Sequence, residues 1–90
     1  MKRAIITVVG KDTVGIIAKV CTYLSEENVN VLDISQTIVG GYFNMMMIVD
    51  VSASKIDFNN LSDGLSKVGG EIGCVIRIQL EDIFDMMHRI

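Results

Sequence analysis

Proline and tryptophan are absent from this chain of 90 residues, cysteine occurs twice, histidine once, and two tyrosines and three phenylalanines are its only aromatic rings. No proline-rich linker, low-complexity stretch or charge block divides it, so one domain spanning residues 1–90 is expected. Cys21 and Cys74 form no CxxC pair, which removes the usual zinc and thiol-redox motifs, and two cysteines make a poor disulfide framework. Both are expected to be reduced, packed thiols. His88 has no Asp, Glu or Cys at convincing ligand spacing beyond Asp85, so neither a metal nor a cofactor is expected. Acidic residues outnumber basic ones by 11 to 8, for a net charge of −3. Attraction of phosphate backbones requires clustered Lys and Arg, so direct nucleic-acid binding is not expected.

Long apolar runs are also missing. No segment approaches the ~20 apolar residues that span a bilayer. Met1-Lys2-Arg3 followed by Ala4 to Val9 imitates a signal peptide, but Lys11 and Asp12 end the run before a hydrophobic region forms. A soluble, cytoplasmic protein without a membrane partner is expected. What the chain does have is apolar surface: 50% of its residues are hydrophobic and 21% charged. A small core does not readily hide that much, so a homodimer or higher homo-oligomer is expected.

Ala4 to Val9 is a short β-branched run stopped by Gly10, the pattern of a buried first strand that turns sharply at the glycine. From Thr13 to Glu27 the apolar residues Ile16, Ile17, Val20, Cys21 and Leu24 recur at helical spacing, with Asp12 as the expected N-cap. Asn28 tolerates left-handed geometry at the helix end. In Val31 to Val39, Leu32, Ile34 and Ile38 alternate with Asp33, Ser35 and Thr37, which predicts a second strand with one buried face. Gly40-Gly41 then signals a tight hairpin into a third strand, Tyr42 to Val51. Within it Met45-Met46-Met47 must send at least one side chain to the face away from the core.

A second helix is expected from Ile56, with Phe58, Leu61, Leu65 and Val68 on its apolar stripe and Gly69-Gly70 as its terminator. Cys74, Ile76, Ile78 and Leu80 alternate as a fourth strand, and residues 81–90 read as a short helical extension with Ile83, Phe84, Met87 and Ile90 on one side. The order is βαββαβ. Its expected fold class is α+β: a ferredoxin-like sandwich in which a four-stranded antiparallel sheet carries two helices on one face, with a short C-terminal helix added.

That architecture hosts many functions, so the site must discriminate between them. A metal-carrying version needs CxxC where Lys11-Asp12-Thr13-Val14 stands, and an RNA-binding version needs aromatics on the first strand, which has none. An acylphosphatase-like enzyme needs an arginine in the first loop, and none is there. No catalytic residues are assigned. Gly15, also expected to let helix and sheet approach, leaves the first helical turn unshielded, so backbone N–H groups at the positive end of the helix dipole can receive a carboxylate. Asp12 or Asp33 can accept from an ammonium group, and Asn30 both donates and accepts. Poles for a carboxylate and an amine describe an amino acid. Asp33, Ser35, Gln36 and Asn44 are either solvated positions or the lining of a cleft in a dimer.

The segments Val9-Gly10-Lys11-Asp12-Thr13-Val14-Gly15-Ile16-Ile17-Ala18-Lys19-Val20 and Leu24 to Gln36 resemble the ACT domain family. Their G-x-D-x-x-G-I spacing is similar to that of the ACT domains of the glycine cleavage repressor and of formyltetrahydrofolate deformylase, although no catalytic domain is expected here. The resemblance implies a stand-alone regulatory module that binds an amino acid or similar metabolite at an interface between paired domains and acts on a metabolic enzyme or transcriptional regulator. It implies Asp12, Thr13, Val14, Gly15, Ile16, Asn30 and Asp33 as ligand-binding residues. Many ACT domains have proline where Val14 stands, and this departure keeps a second reading open: a pure dimerisation or interaction module with a vacant ligand site.

Overall fold

The computed structural model describes residues 1–11 and 13–87; the roles expected of Asp12, His88 and Ile90 lie outside the described residues. Seven elements follow in order: β1 (Arg3–Lys11), α1 (Ile16–Glu26), β2 (Asn30–Val39), β3 (Tyr42–Asp50), α2 (Phe58–Ile72), β4 (Cys74–Leu80) and α3 (Glu81–Met87). The strands form one antiparallel sheet in the order β2-β3-β1-β4. This is the ferredoxin-like arrangement, with α1 and α2 on one face and α3 added after β4.

Alternation sets the faces. Ala4, Ile6 and Val8 of β1, Met45, Met47 and Val49 of β3, and Ile76 and Ile78 of β4 point toward the helices and are buried. Ile16, Val20 and Leu24 of α1 and Leu61 and Leu65 of α2 meet them to complete the core. Each such aliphatic side chain contributes roughly 1.5–3 kcal/mol on burial. Met46, one residue out of phase with its neighbours, is exposed on the opposite face.

The turns follow their residues. Gly40 and Gly41 have φ of 58° and 84°, the two positive values that a two-residue hairpin turn of the primed type requires. Asn28, at φ 61°, ends α1 in the left-handed region, and its Nδ2 donates to the Ala53 carbonyl at 3.0 Å. Asp57 caps α2, its Oδ1 accepting from the Asn60 N–H at 2.8 Å. Cys21 and Cys74 are both free thiols.

Several local expectations are corrected. Helix α1 begins at Ile16 with Gly15 in the N-cap position, not at Thr13, and among the described residues no side chain caps it. Gly15 sits at φ 90° with open space where a Cβ would be, so backbone geometry rather than helix–sheet packing demands glycine there. Gly10 does not turn the chain out of β1: it stays in the ladder, paired with Phe43 and Cys74. A Cβ on Gly10 would lie 2.7 Å from Cys74 Sγ, so close approach of β4 explains that residue.

Helix α2 runs through Gly69-Gly70 and ends at Gly73. The pair does not terminate it because Gly69 is where the helix rests on β4, with a Cβ there falling 2.6 Å from the Cys74 carbonyl oxygen. The largest correction concerns β2. It has no buried residue, and Leu32, Ile34, Ile38 and Val39 are 40–66% exposed. The strand occupies a sheet edge, and a bulge at Leu32, between Val31 and Asp33, shifts its alternation.

Candidate functional site

The uncapped start of α1 opens into a groove of about 520 Å³. One wall is the helix start, with Thr13, Gly15, Ile16, Ile17 and Ala18; the other is the sheet edge, with Gln36 and Ile38 of β2 and Phe43 of β3. The first N–H groups of a helix have no intrahelical acceptor, and here no side chain among the described residues supplies one. The groove therefore combines backbone donors at the positive end of the helix dipole with an apolar floor and two polar side chains, Thr13 and Gln36. A small molecule carrying one carboxylate and an apolar body matches this chemistry.

A second groove of about 530 Å³ meets the first at Gly15 and Ala18 and runs between α1 and α2. Lys19, Glu26 and Glu71 line it together with Tyr23, whose hydroxyl is held above its ordinary pKa by partial burial and then by the Glu27 carboxylate. A side chain at Gly64 would overlap the Tyr23 ring, so the two helices are locked at this contact. Mixed charges make this groove a weaker match to an anion than the side of α1 that faces β2.

The residues expected to bind a ligand do not all converge within one chain. Thr13, Gly15 and Ile16 share the groove with Gln36. Val14 is fully exposed and outside its lining. Asn30 lines a separate hollow of about 380 Å³ with Cys21, Ser25 and Asn28, at the opposite end of β2. Six steps along the strand separate Asn30 from Gln36, about 20 Å along the edge. The Asp33 carboxylate accepts from the Ile34 N–H at 2.8 Å. Sequence reasoning missed Ile17, Ala18, Ile38 and Phe43. Knowing that β2 lies at an edge beside β3 would have found them, because only then do Ile38 and Phe43 become neighbours facing the helix start.

No helix among the described residues is long and apolar enough to cross a membrane, and no cluster of three or more His, Cys, Asp or Glu gathers there around a common point. Burial pushes the Cys74 thiol above its ordinary pKa, which lowers its reactivity.

Fold and groove together define a ferredoxin-like domain with a metabolite-sized recess between its first helix and its edge strand. The family model for the ACT domain matches residues 2–79, and the chain belongs to that family of regulatory ligand-binding modules. A UPF0237 protein of Bifidobacterium longum is 64% identical over 90 residues, all of both chains, and one from Methanocaldococcus jannaschii is 48% identical over the same span. Among solved structures, an ACT domain protein from Streptococcus pneumoniae superposes with a TM-score of 0.82 at 43% identity, covering 93% of this chain and 94% of that one. A formyltetrahydrofolate deformylase from Pseudomonas syringae also reaches 0.82, at 22% identity, over 89% of this chain but 28% of the enzyme. At that identity the likeness is one of fold alone.

Proposed function

We propose that the chain is a non-catalytic regulatory module that binds an α-amino acid, or a metabolite with the same carboxylate-and-amine pattern, in the groove beside Gly15, at an interface where two copies pair their β2 edges. The observation that carries this reading is the start of α1, uncapped among the described residues, facing an edge strand with exposed apolar side chains. The carboxylate meets the free N–H groups of α1. The apolar body lies on Ile38 and Phe43, and Thr13 and Gln36 orient the polar end.

Edge pairing accounts for the separation of Asn30 from the groove. If two copies of β2 pair antiparallel about the strand's midpoint, residue 30 of one falls opposite residue 39 of the other. The partner subunit's Asn30 then arrives beside Ile38, whereas Asp33, in the row of Ile48 on the sheet face turned away from the helices, stays outside the groove. A ligand held by both chains favours the paired state, and such a shift of population is the regulatory output. The partner that reads it is a metabolic enzyme or transcriptional regulator.

Thermal unfolding against a panel of amino acids tests this. A ligand at one hundred times its dissociation constant adds about 2.7 kcal/mol, which raises Tm by roughly 10 °C or more in a domain of this size. At least one member of the panel is expected to produce such a rise. A flat panel at millimolar concentrations rejects the amino-acid reading, and with a persistent dimer it selects the pure dimerisation module, which fully exposed Val14 favours.

A further inference from the structure

One apolar side chain is buried outside the core. Ile5 is 7% exposed, yet the strand register puts it on the sheet face turned away from α1 and α2, in a row with Ile48 of β3 and Gln79 of β4. It stands apart from the cluster of buried side chains beneath the two helices. Val9 supplies the comparison: it lies on the same face of the same strand, also between β3 and β4, and is 48% exposed. The contrast extends across the rows. Ile48 and Gln79, beside Ile5, are half-buried, whereas Asn44 and Val75, beside Val9, are exposed.

The element that distinguishes the two ends of this face is α3. It packs against β1 and β4 and follows Leu80 with no intervening loop. Its first residue, Glu81, bonds to Arg3 at 3.0 Å, and alternation along β1 puts Arg3 on the face of Ile5. A helix of seven residues is not stable by itself in water, so α3 keeps its form because the sheet holds it. That hold is light: an ion pair open to solvent contributes little, and Ile83 and Met86 remain exposed. The helix also lies past residues 2–79, the span of the ACT match, which makes it an addition to the domain rather than part of its core.

We propose that α3 is a displaceable strap that closes the helix-free face over Ile5 when docked and opens it when released. Segments with few buried contacts open at a free energy well below that of global unfolding. With the strap away, Ile5 and Ile48 join Met46, Val9 and Val75 in one apolar surface along β1. With it docked, that surface is limited to the Val9 end. The device is independent of the groove beside Gly15, which lies on the opposite side of the sheet.

Thiol labelling of the full chain tests the strap. Ile5→Cys and Val9→Cys are made separately, alkylated with iodoacetamide and read peptide by peptide, so that Cys21 and Cys74 do not interfere. Because alkylation follows exposure, the thiol at position 5 is expected to react about tenfold more slowly than the one at position 9, or slower still. Asp85 is an exposed residue inside α3, and Asp85→Pro breaks the helix there. It should bring position 5 to within about threefold of position 9, whereas Asp85→Ala should leave it slow. Circular dichroism of each variant checks that the sheet is intact. If Asp85→Pro disturbs the sheet, Glu81→Arg takes its place. Set beside Arg3, it should speed labelling at position 5 about two- to fivefold, and adding Arg3→Glu should restore the slow rate. Equal rates at positions 5 and 9 in the otherwise unchanged chain would mean that nothing covers Ile5. A slow rate that survives the loss of α3, or that Glu81→Arg leaves unmoved, would mean that α3 is not the cover. Either result overturns the inference.

Discussion

β2 and β3 are joined by a two-residue turn and have nearly the same length, yet the structure treats them in opposite ways. β3 lies between β2 and β1, and every second residue from Phe43 to Val49 is buried under the helices. β2 has one neighbour, and its apolar residues beyond Val31 are exposed to solvent in the single chain. Alternation tells which residues share a face; it does not tell whether anything covers that face. An edge strand with exposed isoleucines and none of the usual protective lysines or prolines remains open to pairing.

The comparison breaks most sharply at Met47 and Ile34, direct partners across the hairpin. Met47→Ala removes a fully buried side chain and should cost ~2–5 kcal/mol in urea unfolding at fixed chain concentration. Ile34→Ala should cost less than ~1 kcal/mol of chain stability while weakening self-association, measured by sedimentation equilibrium. Equal losses of stability at the two sites would remove the distinction between core strand and interface strand.

Smaller effects sharpen it. Gly15→Ala forces a left-handed conformation on a residue with a Cβ and should cost ~1–2 kcal/mol, together with loss of any ligand-induced rise in Tm. Asp57→Ala removes the cap of α2, which is remote from β2, and should cost ~1 kcal/mol in urea unfolding without changing ligand response. The smallest effect lies at Asp50, the last residue of β3. Its carboxylate accepts from the Ser52 hydroxyl at 2.6 Å, from the Ser52 N–H and from the Lys2 N–H, and these bonds hold its pKa below the ordinary value. A depressed folded pKa means a contribution that is complete above the unfolded pKa and lost as pH falls through the folded one. Asp50→Asn should therefore flatten the acid side of the stability profile slightly and leave neutral pH nearly unchanged.

The sequence made element order legible because each element carries a local signature: β-branched runs, a 3.6-residue stripe in α1, and paired glycines at the hairpin. It could not reveal how far α2 continues, because Gly69 serves a tertiary contact with Cys74, which no local pattern encodes. The start of α1 was misread for a related reason. Asp12 is a common capping type, but the left-handed backbone of Gly15 fixes where the helix begins. In the site, the turn and Gln36 were legible as candidate lining residues, whereas Ile38 and Phe43 depend on strand order. Asn30 belongs to the proposed site only across a two-fold axis, which a single chain does not contain, and Asp33 lies on the other face of the sheet.

Amide hydrogen exchange of β2, measured as the chain is diluted, tests the paired edge most directly. The outward amides of β2 should be protected at high concentration and exchange like an unpaired edge once the assembly dissociates, while β3 amides stay protected throughout. If the β2 outward amides exchange freely at every concentration, the edge is unpaired and the interface account of the site is wrong.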